Sequence, residues 1–376
     1  MKTNINHFIT LFLASVVVFC GYSQDIHFSQ FYASPSTLNP ATTGNFGGDY
    51  RVSGIYRRQW KATVNTSDDY VRNDGAITKP YTTYNLAVDL PLFIGDSKFG
   101  AGLMVFSDET GSVELNKQKF KIITTKTVGS ISYLKNVNGH RISIGFQPAL
   151  TVKQVEVDEN GTGSGNGIKN GVYDSSIDYW RLMDDEFTDG ALTSASGNTF
   201  NYFDFNAGAM WSKDFGKFEP VIGLAMFHIV NPKTSVLGDD TRLPNRNVAS
   251  FGGTYELNRE FFIMPNILFM THKRVHDLVY GFNIGYNLDD IMLNGKVAFN
   301  YIYAGPQIRH SAQNVDALIF TIGANLKRWN IGLSRDITLS RLQSGTNSQH
   351  GTWEVSVIYV KPETLLEKKA IPCERY

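Results

Sequence analysis

The sequence predicts an all-β fold, a transmembrane up-and-down antiparallel β-barrel of about fourteen strands, with twelve to sixteen compatible. Three observations carry this. The 376 residues include 18 Tyr, 25 Phe and 34 Gly against 12 Pro, the balance of many strands joined by turns. Segments of about ten residues alternate strictly between apolar and polar or small side chains, and the connections between them alternate between short and long.

Between Tyr84 and Leu92, Tyr84, Leu86, Val88 and Leu90 share one face and Asn85, Ala87 and Asp89 the other. The split recurs. Ile142, Ile144, Phe146, Leu150 and Val152 oppose Ser143, Gly145, Gln147, Thr151 and Lys153, and Phe203, Phe205, Ala207 and Trp211 oppose Asp204, Asn206, Gly208 and Ser212. Leu278, Tyr280, Phe282, Ile284 and Tyr286 oppose Gly281, Asn283, Gly285 and Asn287; Leu318, Phe320, Ile322 and Leu326 oppose Thr321, Gly323, Asn325 and Lys327. About ten residues is the length a tilted strand needs to cross a bilayer. It exceeds the usual strand of a soluble sandwich.

Strands are expected from near Asp49, Thr82, Lys98, Lys119, Arg141, Tyr202, Phe218, Asn247, Phe261, Asp277, Ile291, Asp316, Asn330 and Thr352. Short connections follow every second strand at Ile94–Ser97, Lys135–His140, Lys213–Lys217, Leu257–Glu260, Leu288–Asp290 and Lys327–Asn330. Long ones intervene at Arg58–Tyr81, Asp158–Thr199, Asn231–Arg246, Gly305–Val315 and Arg341–His350, with Lys273–His276 the short exception. Short turns face the periplasm in an outer-membrane barrel, which places both chain ends there. Trp60, Tyr81, Trp211, Tyr303, Trp329, Trp353 and Tyr359 fall near strand ends and suit interfacial girdles.

Lys2 and the apolar run Phe8–Phe19 read as a secretory signal peptide over residues 1–23, with cleavage after Ser23 leaving Gln24 first. Bulky Val18 and Phe19 argue against a lipidated Cys20. Loss of Lys2 reduces 35 basic groups to 34 against 35 acidic ones, so no net field favours nucleic acid. Cys373 is left as a single thiol without an internal disulfide partner. No later run reaches the roughly eighteen apolar residues of a spanning helix.

Signals for chemistry are poor. His272 and His276 are four apart, a metal-binding spacing only on a helix, and here they flank a turn. Gly161, Gly163, Gly165 and Gly167 form a linker with no helix behind it to meet a phosphate. Asp184, Asp185, Glu186 and Asp189 read as an acidic surface loop; calcium is the alternative, although the EF-hand spacing is missing. Nothing fixes a catalytic triad, and no cofactor is expected. Lumen-facing candidates Asp89, Asp204, His228, Asn283, Asn294, Lys296 and Asn325 are mixed in sign and imply no ion preference.

The segment Gln24–Tyr32, with Phe28, Ser29, Gln30, Phe31 and Tyr32, is neither helical nor alternating, and Asn39-Pro40-Ala41 and Gly44 follow. These residues and the barrel-start motif Tyr56-Arg57-Arg58-Gln59-Trp60 strongly resemble the PorP/SprF family of the Bacteroidota, and a weaker resemblance extends to the closing His350-Gly351-Thr352-Trp353-Glu354. That resemblance implies a non-enzymatic outer-membrane protein of type IX secretion and gliding motility. The implied partners are a large secreted adhesin with a type B C-terminal domain and periplasmic peptidoglycan-binding or motor-ring proteins. A porin or FadL-like transporter of small solutes is the alternative, the barrel being of FadL-like size.

The expected organisation is a signal peptide (1–23), an N-terminal plug or docking segment (24–48), the barrel (49–360) and a periplasmic C-terminal tail (361–376). A ring of about fourteen strands is wider than its own side chains can fill. Phe28, Phe31, Tyr32 and Pro40 are therefore expected in the periplasmic mouth, as a plug, a docking face, or a strap seating the first strand.

Overall fold

A computed structural model describes residues 28–59, 81–95, 97–109, 118–158, 199–234, 242–272, 275–288, 300–311, 314–339 and 351–362, with short strands at 76–77, 113–115, 171–174, 179–182, 292–293 and 296–297. The expected signal peptide (1–23), Trp60, Gly161–Gly167, Asp184–Asp189, Asn294 and Cys373 lie outside the described residues.

Fourteen antiparallel strands form a closed barrel. They are β1 (Tyr50–Gln59), β2 (Tyr81–Ile94), β3 (Ser97–Glu109), β4 (Gln118–Val137), β5 (His140–Asp158), β6 (Thr199–Lys213) and β7 (Phe218–Phe227), then β8 (Arg246–Glu256), β9 (Phe261–His272), β10 (Val275–Asn287), β11 (Tyr301–Ser311), β12 (Asn314–Leu326), β13 (Trp329–Thr338) and β14 (Trp353–Lys361). Each strand pairs with its neighbours in sequence, and β1 meets β14 from Tyr50↔Lys361 to Arg58↔Trp353. Closure leaves no unpaired edge, the condition for strands to cross a bilayer. Among the described residues no helix is long and apolar enough to do so.

The expected faces are the observed ones. Tyr84, Leu86 and Val88 are 48%, 61% and 41% exposed outward, whereas Asn85, Ala87 and Asp89 between them are 4%, 2% and 2% exposed inward. The inner face is not uniformly polar. Ala225, Phe227, Val248, Leu268, Met270, Val279 and Ile319 form an apolar patch on β7–β10 and β12.

Five short connections collect at one rim, with Tyr50 and Lys361, and the longest ones at the other, which also carries the short steps from His272 to Val275 and from Ser311 to Asn314. At the short-turn rim Asn138 and Gly139 take φ of 53° and 80°, the left-handed pair that a two-residue hairpin turn needs. One expected strand is misplaced. The eleventh begins at Tyr301, not near Ile291, and Leu288–Asn300 is a longer connection containing the small ladder Met292–Leu293/Lys296–Val297. Consequently the expected long loop Gly305–Val315 is mostly strand, and Lys296 lies outside the barrel wall. Gly305-Pro306 reads as a breaker, yet the wall absorbs it: the β10–β11 ladder skips Phe282–Asn283 and Gly305–Pro306.

The shift changes one girdle residue. Tyr303 points inward, only 5% exposed, and its hydroxyl donates to Asn330 Oδ1 at 3.0 Å. Trp329, tilted 49° against Tyr359 with centroids 4.6 Å apart, and Trp353 are outward as expected.

Candidate functional site

The lumen is occupied by the N-terminal segment. From Phe28 it makes a 3-10 turn (Phe31–Ala33), one α-helical turn (Pro35–Leu38) and a second 3-10 turn (Pro40–Thr42). Pro35 and Pro40 each begin a turn, where a missing N–H leaves nothing unsatisfied. Asn39 caps the last turn through its side-chain oxygen, which accepts the Ala41 N–H at 2.9 Å. Phe28, Ser29, Gln30, Phe31, Asn39, Pro40 and Ala41 are buried, and Tyr32 is half-buried.

A coil inside a barrel has no strand to pair with, so its backbone polar groups must find side chains on the wall. Glu354 Oε1 and Oε2 accept the N–H groups of Ser29 and Gln30 at 2.7 and 2.8 Å. The Gln30 amide donates to Ser334 Oγ and accepts from Ser356 Oγ at 2.8 Å. Ser143, Ser132 and Gln147 donate to the carbonyls of Ala41, Thr43 and Ser36. Asp89, bidentate with Arg51, accepts the Gly44 N–H at 2.7 Å.

Glycines on the wall give the segment its seat. A Cβ at Gly145 would collide with the Pro40 carbonyl, and one at Gly208 with Asn39 Oδ1. Asn39 Nδ2 then reaches the backbone oxygens of Ala209 and Leu224, both at 3.1 Å. Phe31, with Tyr32 and Leu38, packs on the apolar inner patch, and Phe28 meets Phe106 edge-on at 6.3 Å. Burial pushes the Tyr32 hydroxyl up to about 12.

The segment was expected at one mouth, and it runs deeper. Gly44 lies near the short-turn rim, but Ser29 and Gln30 sit beside Glu354, seven residues up β14 from Lys361 or roughly 23 Å of strand. Glu354 is the reason, because it is the acceptor for both N–H groups.

Buried charges are balanced. Arg57 faces Glu354 at 3.6 Å, and Arg309 bridges Asp316 and Asp336 at 2.7 and 2.8 Å. His228 Nδ1 lies 2.6 Å from Asp204, both fully buried. Asp89, Asp204, His228 and Asn283 are thus buried on the lumen side, Asn325 is half-buried near the short-turn rim, and Gln59 is half-buried at the end of β1. His272 and His276 fall on opposite faces of the wall, so they cannot share an ion. Among the described residues no group of three His, Cys, Asp or Glu side chains is placed to hold a metal.

The residues missed from sequence are Asp336, Arg309, Ser334 and Ser356, while Gln147, placed on the inner face, and Glu354, in the closing motif, are named there without a role in the site. Their signal is a charged, amide or hydroxyl side chain at an inward position of a strand whose outward positions are apolar.

A family model described as "Type IX secretion system membrane protein PorP/SprF" matches residues 20–359. No curated protein sequence matches the chain. Among solved structures the chain is similar to a deltaS2S3 mutant of the TodX monoaromatic hydrocarbon channel, at 12% identity over 86% of this chain and 93% of that one, with a TM-score of 0.49. It is also similar to the CymD monoaromatic hydrocarbon channel (11% identity, 88% and 93% covered, TM-score 0.46) and to CdiB from Acinetobacter baumannii (8% identity, 83% and 60% covered, TM-score 0.45).

Proposed function

Because the chain belongs to the PorP/SprF family of type IX secretion system membrane proteins, we propose that it is a non-enzymatic outer-membrane barrel that supports secretion or surface anchoring of a large adhesin with a type B C-terminal domain. The observation that carries this reading is the occupied lumen. Ser29–Gly44 is hydrogen-bonded to the wall at both ends and acts as a plug, which leaves the long loops and the short-turn rim, not a channel, as the working surfaces.

In this orientation the long loops face outward and hold the adhesin. The short turns, with Phe93 and Ile94 exposed at 67% and 66%, face the periplasm and meet the peptidoglycan-binding or motor-ring proteins of the system. A porin or FadL-like transporter would instead need the plug to yield to a solute.

Deleting the gene and quantifying adhesin on intact cells tests the proposal, with the purified protein assayed in parallel for conductance. Loss of surface adhesin together with an electrically closed barrel is expected. Unchanged adhesin with solute uptake or conductance by the native protein would replace this reading with the transporter.

A further inference from the structure

We propose that Arg58 and Arg335, set on either side of Trp353 on the outer face of the barrel, bind the phosphate of a phosphorylated glycolipid of the lipid A class. The site rests on the reading that the long loops face outward across the outer membrane.

The three residues are cross-strand neighbours. Trp353 on β14 pairs with Arg58 on β1 and with Arg335 on β13. Alternation turns them outward: Tyr56, Leu333 and Val355 on the same face are 39%, 37% and 41% exposed, while Arg57, Ser334 and Glu354 between them are buried against the plug. The Arg335 guanidinium lies 4.8 Å over the Trp353 ring. Arg58 and Arg335 are two strand spacings apart, about 10 Å, so both long side chains can converge on one head group over the indole.

Height places the group near the long-loop edge of an apolar band about 25 Å tall. Trp353 is eight residues above Lys361, about 26 Å of strand, or about 20 Å along the axis at the usual tilt of about 40°. A guanidinium is strongly disfavoured at the bilayer midplane and tolerated at the head groups. Tryptophan prefers the same level.

Charge selects the ligand. Three inward arginines, Arg51, Arg57 and Arg309, face carboxylates, and a fourth, Arg246, lies 4.2 Å over the Phe227 ring. Among the described residues Arg58 and Arg335 make no ion pair with a side chain, and the adjacent Glu354 and Asp336 point into the lumen. Two outward guanidinium forks that make no side-chain ion pair among the described residues match a lipid phosphate in geometry as well as sign, the outward carboxylate of Glu109 standing two strands beyond Arg58 in the same row.

The test is retention of lipid by the full-length protein in detergent, read by native mass spectrometry with phosphorylated lipid A, the same lipid after phosphatase treatment, and phosphatidylglycerol. Wild type should retain the phosphorylated lipid A best. The variant R58Q/R335Q should retain at least ten-fold less while keeping heat-modifiable migration. Should the double variant fail to fold, Arg335→Gln alone, at an exposed position, should lose at least three-fold. Equal retention by the folded variants, equal retention of the phosphatase-treated lipid, or stronger retention of phosphatidylglycerol would overturn the site. Adhesin levels do not enter this assay, so its failure and that of the secretion reading are separable.

Discussion

The carboxylate of Glu354, wholly buried on the last strand, accepts the backbone N–H of Ser29 at 2.7 Å, joining positions 325 residues apart in sequence. One residue of the closing strand thereby ties the chain's beginning to its end. The same contact, with that of Gln30, holds the upper end of the plug against the last strand.

Replacing Glu354 with Gln removes one acceptor oxygen and the charge while keeping the shape. A hydrogen bond to a charged group contributes about 1.5–3 kcal/mol, so the upper end of the plug should loosen by roughly that amount. In planar bilayers wild type is expected to stay closed, and E354Q to show discrete openings with migration on gels unchanged. A silent E354Q at equal insertion would show that Glu354 does not hold the plug.

Phe28, Phe31 and Tyr32 pack against the inside of the wall. Truncating a buried Phe costs about 3–5 kcal/mol. The triple change to Ser should therefore leave the barrel heat-modifiable and release the segment to protease. Partner recovery should fall only as far as the segment is released. Lost recovery with the segment still protected would instead make these side chains a docking face.

The strands were legible because lipid outside and a filled lumen inside impose a period of two on every crossing. The alternation of Leu86, Val88 and Leu90 with Asn85, Ala87 and Asp89 states it directly. The eleventh strand was not, because Gly305-Pro306 carries a local turn signal that the surrounding ladders override. The plug residues could be named from their composition, but their depth depends on Glu354, a partner more than 300 residues away that no local pattern reveals. Misplacing that strand also hid Arg309, since its inward direction follows from the register.

At the lower end Asp89 holds Arg51 through both oxygens and accepts the Gly44 N–H. Removing one member of a buried pair costs about 3–5 kcal/mol, because the other is left charged and unpaired. Arg51→Ala should therefore lower the temperature at which the barrel unfolds on a gel by more than Asp89→Asn, because it opens a cavity and loses the donation to the Thr42 carbonyl, whereas Asp89→Asn leaves the guanidinium unpaired but keeps a side-chain oxygen that accepts from Gly44 and Arg51. The reverse order would mean that the unpaired guanidinium outweighs the cavity and the lost Thr42 contact.

Gly145 offers the sharpest separation of plug from barrel. Its Cβ would meet the backbone of Pro40 and Ala41, groups that cannot rotate away, whereas a Cβ at Gly129 meets only Pro148 Cγ at 3.9 Å. Both glycines are in strands of the wall without a left-handed φ, so alanine is compatible with either backbone. Overpacking costs about 1–3 kcal/mol, and here the strain falls on the segment more than on the ladder. Gly145→Ala should give bilayer openings and protease cleavage within residues 28–48, while Gly129→Ala behaves as wild type. If both variants stay closed and protected, Pro40 is not seated against β5.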